Sequence, residues 1–481
     1  MDFPFVGPSY QSSSINVDAE RSINLYPEIV ESQQGKNKWY LRGTPGLTPF
    51  CLLPKYPIRG VWVVVSNIFV VAGNTLYLVA INGSYSAIGT LITSTGYVGM
   101  SDNGLQLCIV DGPNEYIYNF ASSIFSLNPC GGNFLGANVV DYIDNYFVFA
   151  KPASRDFFLS QLNDGATINP LDIATKEGAS DLIVAIITLH RQLYIFGSKT
   201  AEIWWDTGAN TFPFSPIQGV FIECGCAAPM TVKKADNTVM WLSKDERGQG
   251  IVYKMSGYAP VRVSTHAIEK IIRSWGNLSN AAAYVYQIDG HEFYVLNNPD
   301  ALTTLVYNGS TSSWHERQWF NPLTGAYSRH RGQFYGSATG DNGQLSIVSD
   351  YETGQLYTFD DNNYTDNGNP IHRIRIAPPS PNNDLNRVFY NRFQVDIEAG
   401  VGLDGGVQGS DPKIIMQQSN DGGHTWSGER VASMGKIGET KMRAYWNKCG
   451  MARNRVFKVK VTDPVKVVMI DAKIDARPGN S

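Results

Sequence analysis

Charge is scarce in this sequence: Asp, Glu, Lys and Arg make up 17% of its 481 residues. What charge there is nearly cancels, with 39 Lys/Arg against 43 Asp/Glu and a net of −4. No global positive field therefore draws the chain to nucleic acid. Cysteine is also thin. Six are scattered, and only Cys224 and Cys226 are close. A C-x-C without a second pair is poor zinc spacing, so the expectation is buried thiols in a reducing cytosol. Seven histidines, at 190, 266, 291, 315, 330, 372 and 424, form no H-E-x-x-H, and no Gly-rich phosphate loop or G-x-S-x-G occurs. No catalytic, metal or cofactor site is expected.

Long apolar runs are missing too. The most apolar window, VWVVVSNIFVVAGNTLYLVAI, is broken at Ser66, Asn67, Gly73 and Asn74. It reads as two strands and part of a third, not as a membrane span. The N-terminal MDFPFVGPSYQSSS lacks a basic stretch followed by an apolar one, so no signal peptide is expected.

What is plentiful is glycine (46), tyrosine (25) and phenylalanine (22), a balance suited to short strands and tight turns. An aliphatic or aromatic residue followed by an aromatic one recurs at Leu76-Tyr77, Ile117-Tyr118, Phe157-Phe158, Ile203-Trp204, Val252-Tyr253, Val306-Tyr307 and Leu356-Tyr357. The spacing is roughly 40 to 54 residues, a propeller-like period. Upstream of each pair lies a second strand-like run, from IFVVAG (68–73) to LSIVSD (345–350), with turn formers between. Such small sheets bury their faces by radial stacking. The expected fold is all-β: a propeller of six or seven blades over about 55–365, preceded by an extended N-terminal segment, 1–54. A stack of sandwich domains is the alternative, and the short period argues against it.

THAIEKIIRSWG (265–276) is the one helical pattern, with Ile268, Ile271, Ile272 and Trp275 on one face. Thr265 is the expected N-cap, Gly276 the expected C′ residue, and Glu269 with Arg273 the expected i, i+4 pair. The helix reads as the cover of a blade edge or as a docking element. IAPPSPNNDLN (376–386) reads as linker, within 366–385. Beyond it Phe393, Val395 and Ile397, then Phe457, Val459 and Val461, alternate cleanly. Residues 386–481 are expected to form a separate antiparallel, sandwich-like domain, with the N-terminal segment as a possible packing partner. The acidic DDNNYTDNGN (360–369) lacks the Gly and terminal Glu of an EF-hand loop and reads as a hydrated loop.

Two local features invite function. SNDGGHTW (419–426) has the form of a sialidase Asp box. Its Ser419, Asp421, Gly422, Gly423 and Trp426 serve equally well to close a hairpin, and only one strict copy is present. A glycosidase also needs a pair of carboxylates at a set separation. The second feature is a basic C-terminus: from Lys436 to Arg477 there are about eleven Lys/Arg against about four Asp/Glu. Arg443, Lys448, Arg453 and Arg455 are candidate contacts to a partner or DNA, as are Glu269 and Arg273 of the helix.

RSINLYPE (21–28), YLRGTPGL (40–47), FGSKTAEIWWDTG (196–208), AIEKIIRSW (267–275) and RAYWNKCGMARNRVFKVKVTDPV (443–465) are collinear with segments of one family. The chain resembles the packaged-DNA stabilisation proteins, the tail hub or nozzle of short-tailed phages akin to the Salmonella lambdoid phages. That resemblance implies a non-enzymatic virion component, assembled in the host cytoplasm into a homohexameric ring below the portal and its adaptor ring. It implies attachment of tail fibres or tailspikes and often a tail needle. It further implies contact with terminal genomic DNA without sequence specificity, and with the host envelope during ejection. A glycan-binding or sialidase-like propeller is the alternative.

Overall fold

A computed structural model of the protein describes residues 3–32, 35–209, 211–340, 343–380 and 386–479. Apart from one helix and three 3-10 turns, the regular elements among the described residues are strands. Seven sheets follow the sequence period. Six blades come from consecutive chain, over 58–90, 99–127, 139–175, 183–216, 233–262 and 282–320. Every recurring aromatic pair lies on a blade's third strand, and every upstream run on the second. The period arises because the second strand of each blade carries a run buried on both faces: Ile68–Ala72 and Phe147–Ala150, for example, are buried throughout. Turns reinforce the register. Asp144-Asn145, His190-Arg191, Asp236-Asn237 and Asp289-Gly290 each join a first to a second strand with both residues at positive φ, the two-residue turn that matches strand twist.

The seventh blade is not consecutive. Its strands Gly332–Gly340, Gly343–Asp350 and Gln355–Asp360 are completed by Gly46–Leu52 from the N-terminus. The propeller therefore has seven blades, and its last one is closed by chain read from sequence as an extended N-terminal segment. The N-terminus also supplies β1 (Tyr10–Gln11), β2 (Ala19–Ile23), β3 (Leu25–Ile29) and β4 (Trp39–Gly43); Gly46–Leu52 is β5.

β2 runs parallel to the outer strand of blade six through Ile23 and Glu316, and antiparallel to Arg373–Ile376. One sheet thus passes from blade six through β2 into Arg373–Ile376, Val456–Val461, Lys413–Ser419 and Arg430–Ser433. A second sheet sets β3 and β4 beside Val468–Pro478, Val388–Ile397 and Ala444–Asn447. These two layers are the sandwich. Its core holds Phe393 stacked on Phe457 at 4.2 Å, with Phe3 and Phe5 added from the N-terminus. A face-to-face pair of that size anchors a core.

Three expectations need amending. The C-terminal domain is not separate, because β2, β3 and β4 belong to its sheets. Arg373–Ile376, read as linker from nearby proline and asparagine, is a strand, since Arg373, Ile374 and Arg375 are all buried; residues 381–385 of that linker lie outside the described residues. The stretch 360–369 is not simply a hydrated loop: Asp366 is buried, and Asp361 accepts from Arg42 at 3.0 Å.

Candidate functional surfaces

The SNDGGHTW turn joins Lys413–Ser419 to Arg430–Ser433. Ser419 Oγ donates to Asp421 Oδ1 at 2.6 Å and accepts from Gly423 N at 2.8 Å. Asp421 also accepts from Thr425 N at 2.9 Å and from Thr425 Oγ1 at 2.6 Å. These donors hold its carboxyl well below the usual carboxylate range. Gly422 and Gly423 sit at φ +74° and +105°. A Cβ on Gly422 would strike Asn16, and one on Gly423 would meet Ala19. Trp426 is half-buried under the Lys458 ammonium, 4.2 Å from its ring centre. The turn is thus packed against the N-terminal segment, and its carboxylate is taken up within the turn.

The basic candidates divide. Arg443, Lys448 and Arg453 are exposed. Arg455 is buried at 1% exposure; its Nη1 donates to the Cys449 carbonyl at 2.5 Å, and its guanidinium lies over Tyr390 at 4.6 Å. An outward contact by Arg455 is therefore ruled out, for its charge is spent inside the sandwich. The alternation of R-N-R-V-F-K-V-K places Arg455 in line with Phe457 and Val459, a sign that favoured burial from the start. In its place the outer face of the second sheet brings together groups that sequence reasoning missed. Arg392 lies over exposed Tyr445 at 5.1 Å. Phe389 is paired across strands with Met451 and Arg477. Only the strand register, with Arg392 opposite Asn447 and Asp475, reveals this patch.

The helix α1 spans His266–Arg273, capped by Thr265, whose hydroxyl accepts from Ile268 N at 3.4 Å. It ends at Ser274 rather than through a C′ glycine, since Ser274 and Trp275 donate back to Ile271 and Ile272. Glu269 turns inward. It accepts from Arg262 at 2.7 and 2.8 Å and from Ser264 at 2.7 Å, while Arg273 donates to Gln249. The expected Glu269–Arg273 pair is absent from the ion pairs of the described residues, because burial gives Glu269 closer partners. Ile268, Ile272 and Trp275 pack among blades five and six, and Lys270 Nζ donates to the Ser12 carbonyl at 3.0 Å. The helix covers a blade edge and grips the N-terminal segment.

Among the described residues, no group of three or more His, Cys, Asp or Glu is arranged to hold a metal ion. No helix there is long and apolar enough to cross a membrane.

The architecture defines a class: a seven-bladed β-propeller whose N-terminal strands also build a β-sandwich. Two family models match the chain. "Bacteriophage P22 Gp10, beta-propeller" covers residues 1–364, and "Bacteriophage P22 Gp10, beta-sandwich" covers residues 374–477. The chain belongs to this family of phage stabilisation proteins. No curated protein matches it. Solved structures similar to it include PorZ of Porphyromonas gingivalis (13% identity, TM-score 0.39, 64% of this chain and 37% of that one). Others are a chain of the mitotic checkpoint complex (14%, 0.44, 66% and 93%) and the WD40 propeller domain of Doa1 (10%, 0.40, 66% and 97%). At these TM-scores none carries a functional argument.

Proposed function

We propose that this protein is the nozzle subunit of a short-tailed phage: a homohexameric ring below the portal and adaptor that retains packaged DNA, carries fibres or spikes and forms the ejection conduit. The observation that carries this reading is membership of the phage stabilisation family through both the propeller and the sandwich. The fold supports it. A propeller sharing a continuous sheet with a sandwich is a stiff body, and stiffness suits a subunit that holds position under load. The exposed cation–aromatic face of Arg392, Tyr445, Arg443 and Lys448 suits an acidic protein partner or terminal DNA without base readout. A tail needle and the host envelope remain further partners of this reading. The glycan alternative gains nothing from the turn, whose Asp421 is already engaged by Ser419 and Thr425.

A knockout with complementation tests the proposal. Phage lacking this gene should package full-length genomes that leak, with portal and adaptor present and no distal tail by electron microscopy. DNA-tight particles with complete tails that fail only at adsorption to surface sugar would overturn it.

A further inference from the structure

Between blades six and seven, side chains from distant stretches of chain gather around Phe359, on the third strand of blade seven. The Tyr286 ring lies 4.7 Å from that of Phe359, the Arg317 guanidinium 5.3 Å and the His330 ring 6.3 Å. Tyr284 packs beside Tyr286, with ring centres 6.3 Å apart. Its hydroxyl borders His330: a Cβ on Gly332 would lie 2.7 Å from Tyr284 Oη and 3.1 Å from His330 Nδ1. The N-terminal segment enters the same place. Arg317 Nη2 donates to the Pro45 carbonyl at 2.8 Å, and Arg373 Nη2 to the adjacent Thr44 carbonyl at 3.5 Å. Asp366 is paired with Leu47 of β5. Arg317, Arg373, Tyr284, Tyr286, His330 and Asp366 are all buried.

Donors and acceptors here do not balance. Arg317 Nε and Nη1, Arg373 Nε, Tyr284 Oη, Tyr286 Oη and His330 Nε2 have no hydrogen-bond partner among the described residues. His330 Nδ1 accepts from Gly332 N at 3.2 Å, which puts the ring proton on Nε2. All of these atoms can therefore donate. The unpartnered acceptors of the cluster are Asp366 Oδ1 and one ring nitrogen of His315, whose other nitrogen adds a further donor. Charge is unequal in the same sense. Arg317 and Arg373 share one carboxylate, Asp366, while the nearby Arg331 and Asp350 satisfy each other at 2.6 and 2.9 Å. A buried donor left without an acceptor is costly, and a charged one more so. Water would bring donors along with its acceptor sites, whereas an anion brings acceptors alone.

We propose that this seam binds one chloride ion, held by the Arg317 guanidinium, the hydroxyls of Tyr284 and Tyr286, and His330 Nε2. A monovalent ion matches the one guanidinium charge that Asp366 leaves unshared. A phosphate or sulfate dianion would overcharge a site that already contains a carboxylate. Chloride so placed ties blade six to the entry of blade seven and, through Arg317, to the N-terminal segment. The site is independent of the ring and its partners, so its test does not rest on the proposed tail function.

Thermal unfolding of the full-length chain in sodium chloride, sodium bromide and sodium gluconate at equal ionic strength is the experiment. Gluconate is too large for a buried halide site and sets the baseline. The melting temperature should rise with chloride or bromide concentration, as mass action on a native-state site requires. Tyr284→Phe and Tyr286→Phe each remove one donor at nearly constant volume and should weaken the apparent halide affinity about tenfold. Arg317→Met should abolish the response, and the two tyrosine variants keep the test decisive if Arg317→Met does not fold. Tyr294→Phe is the control: its hydroxyl donates to the Thr231 carbonyl at 2.8 Å, so its loss should lower the melting temperature equally in all three salts. Crystals grown in bromide should show an anomalous peak beside Arg317. Equal wild-type melting temperatures in halide and gluconate, a wild-type halide response in both tyrosine variants, or no anomalous peak at that position would overturn the proposal.

Discussion

Blades one to five and the pair formed by blades six and seven are built differently. Each of the first five takes four consecutive antiparallel strands and ends at a free outer edge. Blade six gives its outer edge to β2 and the sandwich, and blade seven borrows β5. The interiors differ accordingly. Blades one and two meet through residues such as Phe69, Val71, Leu107 and Ile109. Where six, seven and the N-terminus meet, buried ionic groups flank an aromatic cluster of Tyr26, Tyr286, Phe293 and Phe359. Arg21 pairs with Glu316 at 2.9 and 2.5 Å. Arg331 pairs with Asp350 at 2.6 and 2.9 Å, and Arg317 donates to the Pro45 carbonyl at 2.8 Å. Arg375 donates to the Phe5, Gly7 and Pro8 carbonyls and to Ser22 Oγ. Apolar surfaces between blades are interchangeable in register. A seam assembled from distant chain needs directional contacts to fix one alignment, and planar arginines supply them.

The widest break in this comparison is truncation. Removing residues 1–52 takes the fourth strand from blade seven and strands from both sandwich sheets. Soluble, cooperatively folding protein should be lost, as read by size-exclusion chromatography and far-UV circular dichroism. Deleting Ile124–Leu127, the outer strand of self-contained blade two, should leave a folded chain, because its side chains are mostly exposed or half-buried. A finer break compares two large buried side chains. Arg375→Ala should destabilise by about 3–5 kcal/mol, since it leaves Glu20 and several carbonyls unpaired. Trp241→Ala, in blade five, should cost about as much through a cavity. Limited proteolysis separates them: only Arg375→Ala should open residues 3–23 to cleavage.

The same contrast explains what could be read from sequence. Consecutive blades announce themselves, because Leu76-Tyr77 and its counterparts sit on third strands, and in every pair but Val252-Tyr253 both residues are buried. The sandwich was legible in Phe457, Val459 and Val461, all buried, with Lys458 and Lys460 half-buried opposite them. The shared strands were not. Pairing of β5 with Gln355–Asp360 joins residues some three hundred apart, and no local pattern encodes a partner at that distance. One clue was present: Leu356-Tyr357 is followed by Asp-Asp-Asn-Asn instead of a fourth strand, so the seventh blade was one strand short. The turn residues Ser419 to Trp426 were legible as architecture, whereas the inward turns of Glu269 and Arg455 depend on neighbours that only the fold supplies.

Titration offers a smaller test, in a self-contained blade. Glu115 on blade two is fully buried, and burial raises its pKa from 4.5 to about 7, with Cys130 and Cys108 donating toward it. A carboxyl raised on folding adds stability that is complete below the unfolded pKa and lost as pH rises through the folded one. Thermal melts should therefore fall between about pH 4.5 and 7 relative to Glu115→Gln, by at most about 3 kcal/mol. A wild type and a Glu115→Gln variant with parallel melting profiles over that window would show that the thiols, not a proton, keep this group at ease.

The smallest effect concerns the turn that first suggested a sugar-cleaving enzyme. Gly422→Ala places a Cβ at φ +74° and against Asn16, so a loss of about 1–2 kcal/mol is expected. Asp421→Asn keeps an acceptor for Thr425 N but removes the charge. Its folded pKa lies below the ordinary carboxylate value, so any stability it adds is present above about pH 4 and fades as pH falls. The decisive reading is where the damage appears. If the turn clamps the N-terminal segment, Gly422→Ala should raise amide hydrogen exchange at Asn16–Ala19 and in β2, across the seam, while blades two to five keep wild-type protection. Exchange confined to 419–426 would reduce the turn to an isolated hairpin closure, and the seam would then depend on its arginines alone.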